Sequence, residues 1–224
     1  MGNWSDYALS DFLMFAPDTY FRLYERINAD GWPFALVATV GLLIAIGLAA
    51  RQSGRAASAI HWALAVVWAF VAWAFFYRLY APINLAAQWF AAGYLVEALA
   101  LVIAGWTATV QASLRVNPWA LALLAYALIV HPLTAAALGR DWAGVELFGL
   151  APDPTALATL AVLLMCTGKA VAVARVIPLL WCVISGLTYA AMDLPYAWVT
   201  PAIALLATVG AWWSRRRRLE GFTQ

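Results

Sequence analysis

Two side chains in this 224-residue sequence stand where ionisable groups are costly, and each points to proton or cation chemistry. Glu97 falls near the middle of an apolar run from about residue 83 to 106. A carboxyl at such a depth costs roughly 3 kcal/mol by insertion unless it faces protein or water. Gly93, Ala100 and Ala104 share its helical stripe, and small residues of this kind allow close contact between membrane helices. A carboxyl that changes protonation there suits proton coupling or cation binding; its plainer role is a hydrogen bond to a neighbouring helix. His131 lies in the outer half of a later apolar run, with Ala127, Thr134 and Ala135 on its face. Pro132 follows it and leaves the carbonyl of Leu128 without a helical donor. At 1.5 Å per residue the two depths differ by about 7 Å or less. A water-bridged relay from His131 to Glu97 is one reading, and a lone satisfied histidine is the other. A third group gathers at the outer mouth, where Arg78 ends one run and Asn84 and Gln88 stand one turn apart at the start of the next. These three form an entrance vestibule for an anion or polar solute, or else Asn84 caps a helix and Arg78 snorkels to the headgroups.

The elements that position these residues follow from composition. Hydrophobic residues make up 66% of the chain and charged ones 11%, with a mean hydropathy of +0.82, which excludes an ordinary soluble domain. Continuous apolar runs exclude the alternating pattern of a membrane β-barrel. The fold class expected is all-α, a polytopic bundle with spans near 33–50, 58–77, 83–106, 118–138, 152–168, 174–191 and 195–213. The fifth is the weakest, because it reaches full length only with Pro152 and Pro154 in its first turn. Nine basic residues fall on one side, Arg51, Arg55, Arg115, Lys169, Arg175 and Arg215 to Arg218. Four fall on the other, Arg22, Arg26, Arg78 and Arg140, together with nine of the eleven acidic residues, Asp6, Asp11, Asp18, Asp141 and Asp193 among them. The positive-inside rule then places the N-terminus outside and the C-terminus in the cytoplasm. Trp32, Trp62, Trp89, Trp106, Trp119, Trp142, Trp212 and Trp213 lie near span ends, where indoles favour the headgroup region; Trp68, Trp73 and Trp181 fall inside spans.

Three parts are expected: an extracytoplasmic segment 1–32, the bundle 33–213 and a basic tail 214–224. Asp18 reads as the cap of a helix from Thr19 to Ala29, with Tyr20, Leu23, Tyr24 and Ile27 on one face. That helix either lies on the outer leaflet or caps the mouth of the bundle. Cys166 and Cys182 read as small apolar packers, and Pro178 with Gly186 should loosen the sixth span. The Arg215–Arg218 run is a topology anchor beside anionic lipid rather than a nucleic-acid site.

Several strings resemble an uncharacterised bacterial multi-pass membrane family, domain-of-unknown-function family 6064. They are Asn28 with Trp32-Pro33, Ala81-Pro82-Ile83-Asn84, Phe148-Gly149 followed by Pro152 and Pro154-Thr155, and Ile177-Pro178-Leu179-Leu180-Trp181. The resemblance implies a helical fold in a bacterial inner (plasma) membrane and carries no activity with it. Similar sequences have a cysteine between the two prolines, where this chain has Asp153. Thiol or soft-metal chemistry is therefore not expected there, and Asp153 reads as a partner of the helix dipole.

The last span has no lysine for a retinal Schiff base, and His61 and His131 lie on opposite sides, which disfavours a bis-histidine haem. No phosphate loop, metalloprotease helix or paired nucleophile and base is present, so neither enzyme activity, a cofactor nor a metal set is expected. The sequence points to a small-solute or ion transporter with Glu97 as its intramembrane site. The alternative is an accessory or assembly subunit. The partners expected are the lipid bilayer and, for that alternative, other membrane subunits or a second copy.

Overall fold

A computed structural model describes residues 15–51, 55–107 and 117–220, in which the regular structure is entirely helical. The α-helices are α1 (Pro17–Arg51), α2 (Arg55–Val71), α3 (Ala87–Thr107), α4 (Pro118–Ala125), α5 (His131–Ala137), α6 (Pro152–Met165), α7 (Lys169–Ala174), α8 (Val176–Ala191) and α9 (Val199–Glu220). Two π-helical stretches extend them: Ala72–Tyr80 continues α2, and Tyr126–Val130 joins α4 to α5. The second has a local cause. Pro132 donates no N–H, and its ring crowds the carbonyl four residues back. The turn before it is widened, so that the His131 N–H reaches Tyr126.

Among the described residues, five stretches are long and apolar enough to cross a membrane: Pro17–Ala49, Ser58–Tyr80, Ala87–Thr107, Pro118–Ala137 and Lys169–Ala191. Apolar side chains such as Val37, Val66, Leu99 and Leu187 point outward from them. All eight tryptophans expected at span ends are exposed; of the three placed inside spans, Trp68 and Trp181 are buried and Trp73 is exposed.

Two expected spans take another form. The stretch 152–168 holds α6, only 14 residues long, and every one of them is buried. At 1.5 Å per residue it measures about 21 Å, against roughly 30 Å of hydrocarbon. Its apolarity serves a protein environment, since α2, α4, α7, α8 and α9 all touch it. The stretch 195–213 lies mostly in α9, which starts at Val199 and continues through the arginine run; it is not among the five.

The N-terminal segment also differs from the interfacial alternative. No separate helix ends near Ala29; α1 passes through Trp32 and Pro33 without a break. Tyr20, Leu23, Tyr24 and Ile27 are buried, and Tyr20 and Tyr24 pack on Phe75 in an aromatic cluster. An apolar face that meets aromatic protein surface has no need of lipid. Asp18 falls in the first turn of α1 rather than at its cap. Asp6, Asp11 and Arg115 lie outside the described residues.

Side chains tie down both ends of α6, its own Thr155 at the start and residues from other elements at the end. At its start, Thr155 Oγ1 donates to Ala151 O and accepts from the Gly149 N–H, and Gly149 adopts φ +85°, a conformation glycine tolerates. Tyr94 OH donates to Pro152 O at 3.1 Å. At its end, Arg175 donates to Leu163 O and Cys166 O, and Arg215 to Leu164 O and Cys166 O. Two guanidiniums thus supply donors to carbonyls that a helix terminus leaves open.

Candidate functional site

A cluster of His131, Glu146 and Asp153 is assembled above the N-terminus of α6. His131 is the first residue of α5, set by the π stretch before it. Glu146 lies in the connection after a 3-10 turn at Trp142–Gly144. That connection is pinned to α1, because Asn28 Nδ2 donates to Ala143 O at 2.8 Å and to Val145 O at 2.7 Å. Asp153 stands in the first turn of α6. All three are buried, and one ligand atom from each lies within 4.8 Å of the others.

The bonds around the cluster are dense. His131 Nε2 is 3.0 Å from Glu146 Oε2. Arg140 Nη2 donates to Glu146 Oε1 at 3.0 Å, and Tyr189 OH reaches both oxygens at 3.3 and 3.2 Å. Asp153 Oδ1 accepts from Trp181 Nε1 at 2.8 Å, and Oδ2 accepts from Ser185 Oγ. Burial alone would push the Glu146 carboxyl up; His131 and Arg140 outweigh it and hold the group below the ordinary carboxylate range. Burial likewise works against the charge of Arg140, and Glu146 beside it overcomes that and raises its pKa. Glu146 is therefore a buried acid whose neighbours favour its charged form.

Beside the cluster is a cavity of about 240 Å³, half open, lined by His131, Arg140, Glu146, Tyr189, Tyr196 and Thr200 among others. His131 Nδ1 and Arg140 Nε and Nη1 are buried there without a hydrogen-bond partner. Arg140 also lies over the Phe21 ring of α1 at 4.3 Å, so the N-terminal part of α1 covers one flank of the site.

The sequence-predicted residues are not all brought together. His131 bonds Glu146 rather than Glu97. Glu97 is buried on α3 with neither carboxylate oxygen hydrogen-bonded. Its buried companions are Tyr94, Ala98, Leu101 and Ala104; Gly93 has open space beside it. Asn84 acts as a local cap, accepting from the Ala86 N–H and donating to Tyr80 OH. Arg78 stacks over Trp73 at 5.0 Å and lines a separate concavity with Arg26 and Asp30, while Gln88 is exposed on α3.

Glu146, Arg140, Trp181, Ser185 and Tyr189 escaped sequence reasoning as site residues. Glu146 sits in a connection, where a carboxylate attracts no notice, and its partners come from α5, α8 and the start of that connection. One signal was available: Asn28, Gly149, the prolines flanking Asp153 and Trp181 all belong to the strings that carry the family resemblance, and all hold or adjoin this cluster.

Residues 17–220 match the family described as a family of unknown function, DUF6064. Neither a curated protein nor a solved structure matches the chain.

Proposed function

The chain belongs to the DUF6064 family, whose function is unknown, and we propose that it is a multi-pass permease for a small solute or ion, not an enzyme. The observation that carries this reading is the buried His131–Glu146–Asp153 cluster at the side of a half-open cavity within a bundle of membrane-length helices. Ionisable groups in such settings mark solute and proton pathways. The short helix α6 supports the same reading, because transporter sites are often built at the ends of helices that do not cross the full bilayer.

Catalysis is less well supported by the same geometry. In a serine triad a histidine takes the serine proton, whereas Ser185 donates to Asp153 and His131 faces Glu146. In this proposal Glu97 is a second intramembrane carboxyl on the path, and Arg78, Asn84 and Gln88 belong to the outer surface around the entrance. The N-terminus is outside and the C-terminus in the cytoplasm of a bacterial inner membrane. In this reading the chain makes seven passes, with short α6 crossing inside the protein rather than against lipid and α9 as the seventh.

The test is flux in proteoliposomes. Wild-type protein is expected to move at least one class of small ion or solute, Glu146→Gln to abolish that flux and Glu97→Gln to reduce it. Unaltered flux in both variants sinks the assignment of the site. A second reading, an assembly subunit, draws on α1, whose most apolar window is only 17% buried, against 61% for Ser58–Tyr80. Recovery of a stoichiometric partner from native membranes would favour it.

A further inference from the structure

We infer that His131, Glu146 and Asp153 bind a divalent first-row transition-metal ion, in the range from Mn²⁺ to Zn²⁺. The inference rests on the permease reading only in making that ion the cargo; the site itself stands on its donors. Atoms sharing one ion at about 2.1 Å each lie roughly 3.0–3.4 Å apart. The His131–Glu146 separation of 3.0 Å already meets that spacing. The three donors fall within 4.8 Å, so Asp153 has to close by on the order of 1 Å.

A second observation is independent of the carboxylates. His131 is only 5% exposed, lines the cavity and has an Nδ1 atom with no hydrogen-bond partner. With Nε2 on the ion, Nδ1 keeps the ring proton, so the imidazole binds in its neutral form and has no other hydrogen bond to give up.

The surroundings suit an ion. Arg140 and Tyr189 fix the orientation of Glu146, and Trp181 and Ser185 fix that of Asp153. Such outer partners orient metal ligands and tune their basicity. Each Asp153 oxygen accepts one bond and keeps a lone pair for a metal, and at Glu146 Oε2 the ion would take the place of the proton shared with His131. One imidazole and two carboxylates make a borderline donor set, too few in oxygen for Ca²⁺ and a poor match for Mg²⁺. Arg140 and the positive end of the α6 dipole both oppose a cation. The site should therefore hold its ion reversibly, as conduction requires.

The experiment is a Co²⁺ titration of tag-free, full-length protein in nanodiscs, followed by visible absorption and competed with Zn²⁺, Mg²⁺ and Ca²⁺. One Co²⁺ per chain is expected, displaced by Zn²⁺ and by neither Mg²⁺ nor Ca²⁺. His131→Gln and Asp153→Asn should each weaken binding on the order of 100-fold. Absent binding at millimolar Co²⁺, or unchanged binding in both variants, overturns the site. Should the variants fail to fold, X-ray absorption at the cobalt edge of the wild type decides: one imidazole with oxygen ligands supports the site, and oxygen ligands alone refute it. Zn²⁺ uptake into dye-loaded proteoliposomes separates the two claims. Binding without uptake of any solute refutes the permease and leaves the site, whereas uptake of another solute without metal binding does the reverse.

Discussion

Two buried carboxylates in this protein have opposite surroundings. Glu146 accepts from Arg140 and Tyr189 and pairs with His131, while Glu97 has no hydrogen bond to either oxygen. The first is tied into a network drawn from α5, α8 and the connection after α5; the second sits alone among alanines, Tyr94 and Leu101 on α3. The difference separates two ways of keeping an acid inside a bundle. A network fixes geometry and makes each member costly to remove, because its loss strands a buried partner. A solitary carboxyl fixes little and is cheap to replace.

The predictions follow that contrast, largest effect first. Glu146→Ala strands His131 and Arg140 in the interior and should destabilise the protein by about 3–5 kcal/mol, read as a lowered midpoint in denaturation of the detergent-solubilised protein. A double-mutant cycle with His131→Ala should show coupling; strict additivity would mean that the pair is not a unit. Asp153→Ala removes the acceptor of Trp181 and Ser185, and about 2 kcal/mol should be lost, with a change in Trp181 emission. Arg175→Ala exposes the carbonyls of Leu163 and Cys166 and should cost about 1–2 kcal/mol, measurable as faster hydrogen exchange at the end of α6. Glu97→Gln should be the smallest, within about 1 kcal/mol of wild type, since one buried unpaired polar group is exchanged for another of similar size. A large loss of stability in Glu97→Gln would show that this carboxyl has partners after all and would erase the comparison.

The same contrast explains what could be read from sequence. Glu97 announces itself because one acid interrupts a long apolar run, and its burial follows from that alone. Tryptophan exposure was legible for a similar reason, as indoles near span ends have a preferred depth. The cluster was not legible, since residues 131, 146, 153, 181, 185 and 189 are joined only by tertiary packing, and an acid in a connecting segment looks solvent-facing. The role of α6 was hidden too. Hydropathy reports that a stretch avoids water, and it does not distinguish a lipid neighbour from a protein one, so a 14-residue interior helix reads as a short span. The π stretch ahead of His131 was anticipated only as a freed carbonyl at Leu128.

The short central helix also bears on how the chain is made. With about 21 Å of length, α6 cannot bridge the hydrocarbon alone as it leaves the ribosome. The donors that close its last turn arrive later, Arg175 just ahead of α8 and Arg215 in α9. Until both are synthesised, the carbonyls at that end lack the guanidiniums that close them. The end of α6 is thus completed only once α9 is made, and nascent chains halted before α9 are expected to hold α6 in an unfinished state, read as greater protease sensitivity.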